Sequence, residues 1–177
     1  KSVLTKTGKR ITGDIFIDCS GMKRLLIGKL SGFTKFDKLK NDSAIFGGVN
    51  GYQSNRATTV AHAQKAGRIW SIPTWGRMGS GHVYSSEHIS DDEAYDTIVK
   101  YWADKGYTWT ENNRVKFTSG RMTSIATKNV IANGLAQSFI EPLEATSIMI
   151  TCWTVIRFVE IYNRHGSWDK GAARLLH

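Results

Sequence analysis

Between residues 41 and 86 the chain breaks its apolar residues into four short runs. They are Ser43 to Val49, Thr58 to Gln64, Gly67 to Pro73 and Gly81 to Ser86, parted by Gly, Asn and Ser. Runs of that length between turn residues predict strands, and their spacing predicts an antiparallel sheet. The pattern then changes period. Ser90-Asp91-Asp92-Glu93 is a capping box, in which the Ser90 hydroxyl accepts from the Glu93 N–H while Glu93 reaches back. The helix that it opens runs to about Lys105, with Ala94, Ile98 and Trp102 on one face and Tyr95 and Val99 beside them. Gly106 supplies a left-handed stop.

On either side of this block the signals are mixed. Residues 1 to 19 read as a β-hairpin turning at Lys6-Thr7-Gly8-Lys9, and Asp14 to Cys19 is its near-continuous apolar strand. Such a strand, ending in Ser20-Gly21, predicts burial on both faces as in a parallel α/β sheet. Arg114 to Thr118 reads as another strand, and Asn129 to Ala136 as a strand or strand-to-loop passage with Gly134 inside it. Ile69, Trp70, Ile72 and Trp75 crowd one strand and its end, which predicts sheet-face packing and leaves a wall for a flat ligand as the alternative. Gly79-Ser80-Gly81 lacks the third glycine of a dinucleotide fingerprint and precedes a strand rather than a helix.

Glu141-Pro142-Leu143-Glu144-Ala145-Thr146-Ser147 carries the strongest chemical suggestion. It precedes an apolar run in which Ile148, Cys152, Val155, Ile156, Val159 and Tyr162 recur at helical spacing. A helix starting near Thr146 leaves its first N–H groups without intrahelical partners, at the positive end of its dipole. Such an end can hold a small anion. A carboxylate at Glu144 beside it is a poor packing device, because burying an unpaired charge costs free energy. An ordinary loop-to-helix junction with solvated acids would carry much the same letters.

Composition sets bounds. With 177 residues, 41% hydrophobic and 11% aromatic, the chain can bury a core and is not disordered. Its formal charge of +9 attracts anions, but the basic residues cluster only at Lys35, Lys38 and Lys40 around Phe33 and Phe36, with no nucleic-acid-binding signature. Cys19 and Cys152 lie in apolar runs, where a thiol acts as a small hydrophobe. His62, His82, His88, His165 and His177 show no ligand spacing, so no metal is expected. The longest uncharged apolar run, Ser147 to Ile156, is too short to span a bilayer. A cytoplasmic setting is the expectation. The chain opens on Lys1 and stops inside a second helical pattern, as expected of a piece of something longer.

The ordered motifs resemble the flavin-dependent halogenases, the group containing the tryptophan halogenases. Gly13 to Gly21 is similar to the strand and glycine near the end of that family's flavin-binding core, and Ala66 to Pro73 resembles its Trp-x-Trp-x-Ile-Pro signature through Trp70, Ile72 and Pro73. Gly81 to Ser86 followed by Ser90 to Ala94 matches the next segment, and Lys128-Asn129 through Gly134-Leu135 to Ser147 is the closest match. The resemblance implies a mixed α/β fold, part of an FAD-binding, flavin-monooxygenase-like architecture. Residues 1–28 would end the FAD core. Residues 29–120 would form a substrate-side antiparallel sheet with one helix, and residues 121–177 would return to the core with the halide loop and a C-terminal helix.

It also implies chemistry with FADH2, oxygen and a halide. Hypohalous acid would travel a short tunnel to an electron-rich indole or phenol, where a lysine and a glutamate orient or activate it. By resemblance Glu144 is that catalytic glutamate, Thr146 and Ser147 hold the halide through backbone amides, and Leu135 and Ile148 touch the flavin. The lysine and the phosphate loop would lie upstream, so this stretch alone should not turn over. Partners implied are a flavin reductase and an aromatic small molecule, with no membrane; a homodimer is left open. Three positions depart from the family pattern: Arg68 replaces the first Trp of the signature, Ala145 replaces a Ser, and Ala126 stands where a Trp often precedes Lys128-Asn129. The first departure keeps a flavin-dependent aromatic monooxygenase as the alternative. A basic, non-catalytic anion- or nucleic-acid-binding piece is the alternative of a different class.

Overall fold

The computed structural model describes residues 2–52, 54, 56–141 and 146–176. They form two compact units, Lys1–Phe36 with Ser119–His177, and Asp37–Thr118. The chain passes between these units after Phe36 and after Thr118.

In the first unit β1 (Ser2–Leu4) and β2 (Arg10–Thr12) form the expected hairpin, closed by Thr5 N–H to Lys9 O at 2.9 Å, with Gly8 at φ 81°. The apolar strand is not its second arm. β3 (Phe16–Asp18) leaves the hairpin and later pairs in parallel with a distant strand. Only part of it is buried: Asp18 is covered, Phe16 is partly covered, and Ile17 is 50% exposed. A continuous apolar run does not report which face the sheet will use. After two short helical turns at Gly21–Lys23 and Ile27–Lys29, β4 (Phe33–Lys35) follows.

The second unit is a five-stranded antiparallel sheet with one helix. β5 (Ser43–Asn50), β6 (Val60–Gln64), β7 (Gly67–Thr74), β8 (Arg77–Tyr84) and β9 (Thr110–Lys116) run in the order β6-β7-β8-β5-β9. Between β8 and β9 lies α1 (Asp91–Ala103), with the predicted capping box at Ser90 and Glu93 and Gly106 at φ 80° just beyond. Ala94, Ile98 and Trp102 face the sheet, buried against Ile45, Val49, Ile69, Met78 and Tyr84. The Ser80 hydroxyl links sheet and helix, donating to Trp70 O at 2.7 Å and accepting from Trp102 Nε1 at 2.9 Å.

β8 begins four residues before the expected Gly81, because Gly79-Ser80-Gly81 is strand and not a break. Gly81 is opposite Trp70 on β7, and a Cβ there would run into the Trp70 ring and come within 2.6 Å of Ile45 O. The glycine is required by the neighbouring aromatic ring, not by a turn. β7 also explains how a proline fits: the pairing with β6 ends at Ser71, so Pro73 lies where no β6 partner needs its missing N–H.

Returning to the first unit, β10 (Gly120–Met122) pairs with β4, and β11 (Ala126–Thr127) and β12 (Val130–Ala132) form a tight hairpin through Lys128, at φ 57°, and Asn129. β12 is the parallel partner of β3, with Val130 opposite Phe16 and Ala132 opposite Asp18. β13 (Ser138–Phe139) pairs with β10, and α2 (Thr146–His165) and α3 (Lys170–Leu175) follow. The core gathers Ile27, Met122, Ile125, Val130, Ile131 and Ile161, with Phe158 and Trp168 packed on it.

The predicted face of α2 is not the one that the core covers. Ile148, Val155, Ile156, Val159 and Tyr162 are 41–67% exposed and Cys152 is exposed, whereas Thr154 and Ile161 are buried. Apolar residues lie around most of this helix, so spacing alone could not choose its inner face. Cys19 is exposed too, against the expectation for an apolar run.

The close approach at Gly81 sets a test. Gly81→Ala should lower stability by about 1–3 kcal/mol, the overpacking range. Gly79→Ala, whose new Cβ meets nothing closer than 3.5 Å, should shift stability by less than about 0.5 kcal/mol. Urea unfolding of the two variants reads the contrast.

Candidate active site

Parallel strands β3 and β12 end together, at Asp18 and Ala132, and a loop leaves each carboxyl end. Ligands in open α/β sheets bind outside such ends, where diverging loops leave a crevice. The loop after β3 is organised by the Asp18 carboxylate. One oxygen accepts from the Ser20 N–H and hydroxyl, and the other accepts from the Leu26 and Ile27 N–H groups at 2.9 and 2.8 Å. Burial by itself would raise the Asp18 pKa, yet these hydrogen bonds outweigh it and hold the group below the ordinary aspartate value. Gly21, at φ 68°, and Arg24, at φ 47°, take the left-handed conformations that this wrap requires.

The loop after β12 is tied to the first. Asn133 N–H donates to Asp18 O at 3.0 Å, and the Asn133 side chain accepts from Gly134 N–H at 2.9 Å, capping the turn Gly134–Ala136. This turn lies against Gly21–Lys23 on one side and α2 on the other. The contact to α2 is polar and buried: Thr154 Oγ1 lies 3.0 Å from Gln137 Oε1 and 2.8 Å from Ile150 O. The result is a turn held rigidly beside the first turns of a 20-residue helix.

Thr146 and Ser147 lie in that helix, both partly buried, and are its first described residues. Leu135 is 38% exposed on the turn, and Ile148 is 67% exposed in the first turn of α2. Glu144, with Pro142, Leu143 and Ala145, lies outside the described residues. Trp70, Ile72 and Pro73 are in the second unit, on β7. Alternation puts Ile69 in the core, leaves Trp70 partly buried over Gly81 and exposes Ile72 at 41%; Trp75, at the hairpin tip, is fully exposed. The four residues that crowd the sequence therefore do not form one cluster. Ala126 is buried in the first unit's core.

Sequence reasoning passed over Asp18, Asn133, Gln137 and Thr154. Asp18 had a readable signal, since an Asp two residues ahead of Ser at a strand end often caps its own turn. The others answer to partners distant in sequence. Among the described residues no group of His, Cys, Asp and Glu is placed to hold a metal, and no helix is long and apolar enough to cross a membrane.

Residues 1–173 match the family model described as tryptophan halogenase. The chain belongs to the tryptophan halogenase family. It is 37% identical over 152 residues to the 7-chloro-L-tryptophan 6-halogenase KtzR of Kutzneria sp. (strain 744), spanning 82% of this chain and 29% of that protein. With the tryptophan 7-halogenase RebH of Lentzea aerocolonigenes it shares 38% over 157 residues, 84% of this chain and 29% of that one. Among solved structures, a flavin-dependent halogenase from Xanthomonas campestris aligns with a TM-score of 0.87 at 28% identity, covering 99% of this chain and 35% of that one. The mixed α/β fold, with its antiparallel sheet and helices, is that of flavin-dependent halogenases. The chain spans about a third of the length of these relatives. Leu135, on the Gly134–Ala136 turn, and Ile148, in α2, present exposed apolar side chains, a kind of surface that suits a flat flavin ring.

The Asp18 wrap sets the second test. A pKa held below the ordinary aspartate value means that the carboxylate's stabilisation is complete above about pH 4 and is lost as pH falls through the lowered folded value. Asp18→Asn, which turns a donor toward backbone N–H groups, should cost about 2–3 kcal/mol at pH 7. In urea unfolding, its deficit relative to the native protein should shrink as pH falls below about 4.

Proposed function

We propose that this chain serves a flavin-dependent halogenase, which uses FADH2, oxygen and a halide to halogenate an electron-rich aromatic compound such as an indole or a phenol. The observation that carries the reading is the family match over residues 1–173, which takes in Glu144, Thr146 and Ser147, joined to the helix α2 described from Thr146 onward. Reduced flavin with oxygen supplies the oxidising equivalents that turn halide into an electrophile. The chain's own residues do the rest. The N–H groups at Thr146 and Ser147 hold the halide, which needs donors and the positive end of the helix dipole without a competing negative charge. Glu144, which lies outside the described residues, is given the catalytic part on the arene side. There its carboxylate orients the halogenating species and stabilises the positive charge that builds on the ring. Leu135 and Ile148 offer the flavin an apolar surface. Trp70, Ile72 and Pro73 keep the arene away from the flavin.

A flavin reductase supplies FADH2 in this reading, and the setting is cytoplasmic, in keeping with two exposed, unpaired cysteines. Arg68 favours a second reading. It shares a β7 face with Trp70 and Ile72 by alternation, at the place where the family signature has its first Trp. A less apolar barrier there would admit substrate to the flavin and give hydroxylation.

Product mass decides between them. With reductase, FAD and an indole, the full-length protein should give product carrying chlorine, or bromine when bromide replaces chloride. Product that gains oxygen whichever halide is supplied would establish the monooxygenase. Glu144→Gln should reduce halogenated product at least 100-fold while FAD binding is retained, and full activity in that variant would overturn the role given to Glu144.

A further inference from the structure

The second unit holds a recess that the halogenation reading does not use. It opens on the face of the sheet that carries α1, with a volume of about 270 Å³, and the groups around it share a character. Arg56, from the segment before β6, His62, on β6, and Lys105, just after α1, all line it. Among the described residues no carboxylate lines the recess, and none forms an ion pair with Arg56 or Lys105.

The walls between these basic side chains are aromatic. The His62 and Tyr101 rings are 5.1 Å apart, Tyr101 meets Trp102 edge to face at 5.3 Å, and Tyr52 meets Trp102 at 5.7 Å. Lys105 Nζ stands 4.3 Å from the centre of the Tyr101 ring. An adjoining recess of about 340 Å³ shares Tyr52, Arg56 and Pro73 and ends at the fully exposed Trp75. The buried Ser71 hydroxyl lies beside the Tyr101 hydroxyl.

We infer that this recess binds a small aromatic carboxylate, its acid group held by Arg56, Lys105 and His62 and its ring laid against Tyr101 and Tyr52. Arginine suits a planar carboxylate because its fork can donate two parallel hydrogen bonds. The aromatic walls supply the apolar area that a bare inorganic anion could not use. A ligand ammonium would be repelled by Arg56 and Lys105.

His62 reports occupancy. Burial lowers its pKa, and the charges of Lys105 and Arg56 lower it further. An anion seated among the three offsets that repulsion, so His62 should titrate at higher pH when the recess is filled.

The experiment uses the full-length protein and three probes, indole-3-acetate, tryptamine and inorganic phosphate, followed by calorimetry and by NMR titration of His62. Indole-3-acetate should bind saturably and raise the His62 titration midpoint. The Arg56→Ala/Lys105→Ala double variant, which alters two exposed residues, should weaken that binding at least tenfold. Tryptamine should leave His62 unmoved, and phosphate should bind at least tenfold more weakly than indole-3-acetate. Binding of indole-3-acetate that persists in the double variant, or that leaves His62 unmoved, would overturn the assignment. So would phosphate binding of equal strength, because the aromatic walls would then contribute nothing.

Discussion

The first unit depends on one buried carboxylate. Asp18 sits at the end of β3, where a parallel neighbour and a following turn both need the backbone to reverse direction. Its four hydrogen bonds supply the partners that the turning N–H groups would otherwise lack. Because the Asp18 carbonyl also accepts from Asn133, the same residue fixes the loop after β12. The Gly134–Ala136 turn is tied onward to the middle of α2 through Gln137 and Thr154. A halide or flavin site built there would therefore rest on a charge that touches neither ligand.

The second unit is organised differently. Its rigidity comes from an antiparallel sheet with α1 laid across it, locked by Ser80 between Trp70 and Trp102. Small residues on β8 allow a tryptophan ring to lie flat on the neighbouring strand, which an alanine at Gly81 would prevent. The signature strand thus shows two unlike faces. Ile69 and Ser71 serve the packing against α1 and the recess beside it, while Trp70 and Ile72 look the other way. Alternation along a strand lets one motif serve packing on one face and recognition on the other.

How legible all this was depended on the range of the interactions involved. The capping box at Ser90 and Glu93 and the helix face Ala94, Ile98 and Trp102 are local patterns, and each stands where the letters predicted. β4, β10, β11 and β13 were not anticipated. They are two or three residues long and exist only because a partner lies alongside. The glycines of β8 read as a break because their reason, the Trp70 ring, is on another strand. The apolar stripe of α2 was visible as a stripe, but its orientation was not.

By itself, then, the sequence determined the element types wherever period and caps decide them, and the order of motifs that marks the family. Those features are written within a turn or two of chain. Tertiary structure alone decided that β3 pairs in parallel with β12, that α2 buries Thr154 and Ile161 rather than Ile156 and Val159, and that Arg56, His62 and Lys105 converge. Each of these is a choice between surfaces that look alike in the sequence. The packing of groups far apart in the chain makes that choice, and no local propensity records it.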